Sequence, residues 1–159
     1  MEKKKHKYSE QEAYIKLSAL CAVAEYCKHD MRKKMRNWEL PEGAEEKIIT
    51  RLVEERFVDE KRFAHAFVRD KFRYNRWGRV RISQELKMRH IDENVIEDAL
   101  EEIEEDDNLQ TLREIIEKKR PLVKGKSEYE IRGKLIRFAI GRGFCMDDAI
   151  KVIGSLDDL

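Results

Sequence analysis

Proline and glycine are scarce in this chain, with two prolines and seven glycines among 159 residues. A β architecture with many tight turns normally uses more of both, so their scarcity favours helices. Long apolar runs are also missing, and no stretch approaches the roughly 18 residues that a membrane span needs. The N-terminus carries charges without the apolar segment of a secretory signal behind them. We therefore expect a cytoplasmic, helical protein without a membrane segment.

Cysteine is sparse and odd in number, with Cys21, Cys27 and Cys145. Their spacing forms no disulfide framework, so free thiols are expected. Cys27 and a histidine two residues later would bind a metal only together with a second pair of ligands, and none is evident. His65 and His90 stand isolated in the sequence, at positions typical of helix surfaces.

Catalytic motifs are missing as well. Gly141-Arg142-Gly143 falls far short of a phosphate-binding loop. The acidic run at residues 101–107 is more typical of a solvated helix face than of a magnesium site. We therefore predict no catalytic residue, no metal ligand and no cofactor, and hence a protein that is not an enzyme.

What the chain does contain is charge and helical periodicity, since 42% of its residues are charged and 41% hydrophobic. A weak internal period of about fifty residues divides it into units of three helices. We place a basic N-terminal arm at residues 1–12 and three-helix repeats at 13–58, 59–105 and 106–159. One such unit cannot hide its apolar faces alone, so the prediction is an all-α protein of three tandem repeats stacked into an elongated, curved array.

Capping residues mark the starts of several helices. The predicted N-caps are Ser9, Asp59, Asp92 and Ser127. The first helix is expected to end near residues 27–29, the second to span 30–38, and Pro41 to open the third. In the last unit, extra residues at 141–143 are expected to lengthen the turn before Phe144.

Apolar residues at helical spacing supply the expected core. We assign to it Phe63, Phe67, Leu86, Ile91, Val95 and Leu135. If Phe67 is buried, Phe67→Ala should destabilise the protein by roughly 3–5 kcal/mol.

Charges are sorted along the chain although the net charge is only +1. Residues 69–89 hold eight basic and two acidic side chains, whereas residues 92–107 hold ten acidic and no basic ones. Second helices are thus basic and third helices acidic. Stacked in register, the basic helices would form a stripe that attracts phosphate groups or acidic protein surface. Alternatively, the sorted charges pair between adjacent helices of one unit.

Three aromatic residues, Phe72, Tyr74 and Trp77, interleave with the basic run. Two roles are open for them: contact with a partner, by stacking on bases or anchoring a protein interface, or membership of the core. The core role is assigned to Phe72 first.

The junction of the first two units carries a recognisable order of residues: Leu52, Glu54, Glu55, Phe57, Val58, Asp59, Arg62, Phe63, Ala64, Ala66, Phe67, Val68 and Arg69. It is followed by Trp77-Gly78-Arg79 and by Ile82, Glu85, Leu86 and Ile91. This order resembles the central signature of the RecX family and the segment after it. The likeness extends from about Tyr14 to Leu156, and it departs from the family at Arg79, where a proline is usual.

The resemblance implies a small regulator that binds the RecA recombinase filament in its helical groove. It implies limits on filament growth, ATP hydrolysis, strand exchange and co-protease activity, and so a role in DNA recombination, DNA repair and the SOS response. We expect a monomer, with single-stranded or duplex DNA as a second candidate ligand. A stand-alone DNA-binding module that acts without RecA remains the alternative, with an affinity that falls steeply with salt.

Basic side chains of the second and third units are the predicted contacts with RecA or DNA. They are Arg69, Arg73, Arg76, Arg79, Arg81, Lys87, Arg89, Arg132, Lys134 and Arg137.

Overall fold

A computed structural model describes residues 5–154 of the chain. Within this range there are nine α-helices, one short 3-10 helix at Arg120–Leu122 and a pair of two-residue parallel strands. The helices are α1 (Glu10–Val23), α2 (Lys28–Met35), α3 (Ala44–Glu54), α4 (Glu60–Arg73), α5 (Arg79–Met88), α6 (Glu93–Leu100), α7 (Glu105–Lys119), α8 (Glu128–Gly141) and α9 (Met146–Ile153). The strands are β1 (His6–Lys7) and β2 (Trp38–Glu39). The predicted all-α class is confirmed.

Three separate apolar clusters form the core, one around each set of three helices. Leu17 and Leu52 lie in the first cluster, Leu86 and Ile96 in the second, and Leu135 in the third, each at most 1% exposed. In each set the first and third helices pack against each other. We refer to α1–α3, α4–α6 and α7–α9 as units 1, 2 and 3.

The predicted N-caps are confirmed at Ser9, Asp59, Asp92 and Ser127. Each of these side chains accepts a hydrogen bond from a backbone N–H in the first turn of its helix. The helix that starts at Ser9 begins inside the predicted N-terminal arm, so residues 10–12 form its first turn. Residues 1–4 of that arm and residues 155–159 of the last predicted repeat lie outside the described residues.

The predicted end of the first helix is wrong. Helix α1 stops at Val23, and the backbone N–H of Cys27 donates to Oδ2 of Asp30 at 3.2 Å, which starts α2 there. Helix α2 therefore begins two residues earlier than predicted, and Trp38 lies in β2 beyond its end. Pro41 does not open α3 but accepts the N–H of Ala44 in the turn that precedes it.

Two of the predicted core residues are only partly buried. Phe67 and Val95 keep part of their surface exposed. The other four, Phe63, Leu86, Ile91 and Leu135, are buried as predicted. The buried residues of helix α6 are Ile96 and Ala99, and Val95 packs against the edge of the same cluster.

Helices α5 and α8 end in the same kind of turn. The two residues after each C-cap, His90 and Ile91 in one case and Gly143 and Phe144 in the other, donate their N–H groups back to the last turn of the helix. Helix α8 has 14 residues and α5 has 10. The extra residues of the third unit thus lengthen the helix, and the prediction that they lengthen the turn is wrong.

Candidate partner-binding surface

A row of charge pairs joins the first and third helices of unit 2. His65 on α4 contacts Glu102 through Nδ1 at 2.7 Å and Asp98 through Nε2 at 3.0 Å. Lys61 lies 3.8 Å from Asp98, and Arg69 lies 3.8 Å from Glu102. At this helix pair the sorted charges are paired within the unit, and acidic side chains just before and after the end of α6 face the first helix of the unit.

The hydrogen bond from His65 to Glu102, with a second one to Asp98, raises the pKa of the imidazole above its ordinary value. Partial burial opposes this shift, because burial disfavours the charged form of a histidine. Since both carboxylates favour the imidazolium, protonated His65 stabilises the contact between α4 and the C-terminal end of α6.

The arginines of α5 are engaged within the protein. The Arg79 guanidinium lies 3.1 Å from Glu105 and donates to the carbonyl oxygen of Ile103 at 2.5 Å. Arg81 stacks on the indole ring of Trp77, with its guanidinium carbon 4.0 Å from the ring centroid.

Arg89, which caps the end of α5, pairs with Glu85 at 3.1 Å and lies over the ring of Phe67. The side of α5 that faces solvent instead carries Val80, Gln84, Lys87 and Met88. This helix therefore does not present the basic stripe that the sequence suggested.

Units 2 and 3 meet through backbone contacts. The N–H of Gly78 donates to the carbonyl oxygen of Arg142 at 2.9 Å, and the N–H of Val80 donates to that of Gly143 at 3.0 Å. A Cβ atom on Gly78 would lie 2.3 Å from the Gly143 oxygen, so glycine is required for this approach. Arg142 completes the joint by donating to the carbonyl oxygen of Asn75 at 2.7 Å.

Arg76 also belongs to this joint. It adopts a left-handed backbone conformation, with φ of 55°, and its guanidinium lies 2.6 Å from Glu114 on α7. The pair lowers the pKa of Glu114 below its usual range. Arg76 and Arg79 thus connect unit 2 to unit 3, and both side chains form ion pairs within the molecule.

The thiols are in their protonated form at neutral pH. Burial raises the pKa of Cys27 to about 12, and it also raises the pKa values of Cys21 and Cys145. A nucleophilic cysteine needs a lowered pKa, and these environments do the opposite.

Residues 5–154 contain neither a cluster of three or more metal ligands (His, Cys, Asp or Glu) nor a helix that is long and apolar enough to span a membrane.

Family models for two consecutive domains match this chain. The model for RecX, second three-helix domain, matches residues 59–100, and the model for RecX, third three-helix domain, matches residues 105–153. Together the two matches cover more than half of the 159 residues. The chain belongs to the RecX family. The predicted three-helix repeats are thereby confirmed as a property of this fold.

RecX proteins of known sequence show the same relationship. Regulatory protein RecX from Clostridium tetani is 30% identical over 113 residues, which are 70% of this chain and 51% of that protein. Regulatory protein RecX from Prosthecochloris aestuarii is 28% identical over 137 residues, or 86% of each chain. The chain thus spans about half the length of the first of these relatives. A crystal structure of RecX from Lactobacillus salivarius shares the fold, with a TM-score of 0.79 at 21% identity over 94% of this chain and 97% of that one.

In this RecX protein the predicted contact residues fall into two groups. Most of them contact a carboxylate or an aromatic ring: Arg69, Arg76, Arg79, Arg81, Arg89, Arg132 and Lys134. Arg73, Lys87 and Arg137 are exposed, and none of the described carboxylates lies within 4.0 Å of them. We refer to these three residues as the exposed basic set.

In the present chain, two large exposed side chains lie next to members of the exposed basic set. Tyr74 follows Arg73 at the end of α4 and is 75% exposed, and Met88 follows Lys87 at the end of α5 and is 67% exposed. Phe72 and Trp77, by contrast, are packed against the core of unit 2. The sequence-based prediction included Tyr74 only as one of three aromatic residues in the basic run, and it did not include Met88. The position of both residues at helix ends was the available signal, because helix ends lie at the rim of a small core.

Proposed function

We propose that this RecX protein binds the RecA recombinase filament and regulates it, limiting filament growth, ATP hydrolysis, strand exchange and co-protease activity. This role would place the protein in the cytoplasm, in DNA recombination, DNA repair and the SOS response. Membership of the RecX family supports the partner. The observation that supports the contact surface is the exposed basic set, since these are the predicted contact residues that contact neither a carboxylate nor an aromatic ring among the described residues.

The chemistry of the exposed set favours a protein partner over bare DNA. Arg73 and Lys87 each stand next to a large exposed side chain, Tyr74 and Met88. Arginine, tyrosine and methionine are enriched at protein interfaces, where the apolar part is buried and the cation meets an acidic group. Affinity for DNA rests on many basic side chains reaching phosphates, and most of the arginines of unit 2 already have partners within the molecule.

The proposed mechanism is a bridge between neighbouring subunits of the filament. The protein lies along the filament groove as a monomer and contacts acidic recombinase surface through Arg73 and Lys87 in unit 2 and Arg137 in unit 3. The backbone bond between Gly78 and Arg142 fixes units 2 and 3 to each other. If each unit contacts a different RecA subunit, the two RecA subunits would therefore resist moving relative to each other. That relative movement is the step we expect to be slowed.

Binding to the RecA filament on single-stranded DNA tests the proposal. The test variant combines Arg73→Glu and Lys87→Glu, and the matched control combines Lys33→Glu and Arg36→Glu, two exposed residues of unit 1 that form no ion pair with described residues. Both variants change the charge equally. We expect the dissociation constant of the test variant to rise about tenfold or more and that of the control to stay close to the wild-type value.

Equal losses in the two variants would reject the assigned surface. If the protein bound the same single-stranded DNA equally well without RecA, and if that affinity fell steeply with salt, the result would instead support the stand-alone DNA-binding module.

A further inference from the structure

Two histidine rings meet where unit 1 joins unit 2. His29 lies in the first turn of α2 and His90 in the turn after α5, and their ring centroids are 5.4 Å apart with a 60° angle between the planes. The sequence-based interpretation of His90 as an isolated histidine is therefore wrong. The two rings come from residues far apart in the chain and from different units, so their approach depends on how the units pack.

The main chain is well ordered at both histidines. His90 has φ of 58°, a left-handed conformation that glycine or asparagine usually occupies at the end of a helix. Its N–H donates to the carbonyl oxygen of Lys87 at 3.0 Å, and that of Ile91 donates to Leu86 at 3.2 Å. His29 is held by α2, which starts at the bond between Cys27 and Asp30. Since both backbones are held in place, only the two side chains need to rotate for their ring nitrogens to face a shared ligand.

The separation of the rings fits coordination of one metal ion. Two imidazoles bound to one tetrahedral zinc through bonds of about 2.0–2.1 Å place their ring centroids roughly 5 Å apart. A neutral imidazole offers one unprotonated nitrogen as a ligand. We propose that His29 and His90 form a two-histidine site that binds a divalent transition-metal ion such as Zn²⁺ and ties unit 1 to unit 2.

The donor set limits which ions bind and how tightly. Imidazole nitrogen suits Zn²⁺, Ni²⁺ and Cu²⁺, whereas Mg²⁺ and Ca²⁺ prefer oxygen ligands. Cys27 is close in sequence but cannot complete the site, because it is buried in the core of unit 2 and its pKa is raised to about 12. No third protein ligand lies near in residues 5–154, so water fills the remaining positions and the ion exchanges readily.

Zinc titration of the full chain by isothermal calorimetry tests this site independently of RecA. The variants are His29→Gln and His90→Asn, the latter chosen because asparagine tolerates the left-handed conformation. His6→Gln and Cys145→Ser serve as controls for a histidine and an exposed cysteine elsewhere. Thermal melting with a chelator present establishes that each variant is folded.

We expect one Zn²⁺ per chain, a higher melting temperature with zinc, and no heat of binding with Mg²⁺. Each of the two site variants should bind zinc at least about tenfold more weakly, and both controls should match the wild type. Zinc binding that survives in His29→Gln and His90→Asn, or that disappears in Cys145→Ser, would overturn the proposal. Absence of zinc binding to the wild-type chain would overturn it as well.

Discussion

Gly78 donates its backbone N–H to the carbonyl oxygen of Arg142, 2.9 Å away, and so joins the start of α5 to the end of α8. The N–H groups at a helix start and the carbonyl groups at a helix end normally lack partners within their own helices. Here the two ends satisfy each other across the boundary between units 2 and 3. The relative position of these two units is therefore fixed by main-chain bonds as well as by side chains.

Gly78→Ala should weaken this joint. The added Cβ would lie within 2.6 Å of three backbone atoms of Gly143 and Phe144, which cannot move aside as a flexible side chain could. We expect a loss of about 1–3 kcal/mol in the free energy of unfolding, measured by urea denaturation. Gly133→Ala is the matched control, since a Cβ there meets nothing within 4 Å in helix α8 and should stabilise the protein by roughly 0.5–1 kcal/mol. An unchanged stability in Gly78→Ala would contradict the close approach.

Arg79→Ala and Arg73→Ala should separate a structural arginine from a contact arginine. Arg79 pairs with Glu105 and bonds the Ile103 carbonyl, so its removal should lower the free energy of unfolding by about 1–2 kcal/mol. Arg73 is exposed and forms no ion pair with described residues, so its loss should change stability by less than about 0.5 kcal/mol. Thermal melts of both variants measure the difference. A larger loss of stability in Arg73→Ala than in Arg79→Ala would contradict the assignment of Arg79 as structural and Arg73 as a contact residue.

The charge of His65 should make stability depend on pH. Its pKa is raised in the folded state, so its contribution is complete below the pKa of the unfolded chain and is lost as pH rises through the folded pKa. We expect the stability advantage of the wild type over His65→Gln to be largest below the ordinary pKa of histidine, about 6.5, and to shrink as pH rises above it. Urea denaturation of both proteins below and above this pH gives the difference directly. An advantage that stayed constant or grew with pH would show that His65 is not held as a cation.

Phe63→Ala should cost more stability than Phe67→Ala. Phe63 is buried in the core of unit 2, and we expect its truncation to lower the free energy of unfolding by about 3–5 kcal/mol. Phe67 is only partly buried and carries Arg89 and Lys71 over its ring, so the loss there should be smaller. Chemical denaturation of the two variants tests the order. A greater loss in Phe67→Ala would contradict the partial burial of Phe67.

Features of the fold that depend on local hydrogen bonds were predictable from the sequence. Ser9, Asp59, Asp92 and Ser127 cap helices as expected, because the cap and its donor are neighbours in the chain. The end of α1 was misplaced because the apolar pattern continues to Cys27, whose side chain belongs to the core of the next unit.

Features that depend on packing between helices and units were not predictable in this way. The acidic residues around the end of α6 meet His65 and Arg69 on α4, and a count of charges along the chain cannot show which helix faces which. The meeting of His29 with His90 likewise requires the packing of unit 1 on unit 2, and no glycine marks the left-handed turn at His90.

The most direct test of the proposed function is ATP hydrolysis by the cognate RecA on single-stranded DNA, titrated with this protein below one molecule per recombinase. We predict that the wild type inhibits hydrolysis well below that ratio. The combined Arg73→Glu and Lys87→Glu variant should require a concentration about tenfold higher, while the Lys33→Glu and Arg36→Glu control should act like the wild type. No inhibition at any ratio, with RecA still bound to the DNA, would contradict the proposal that this protein regulates the filament.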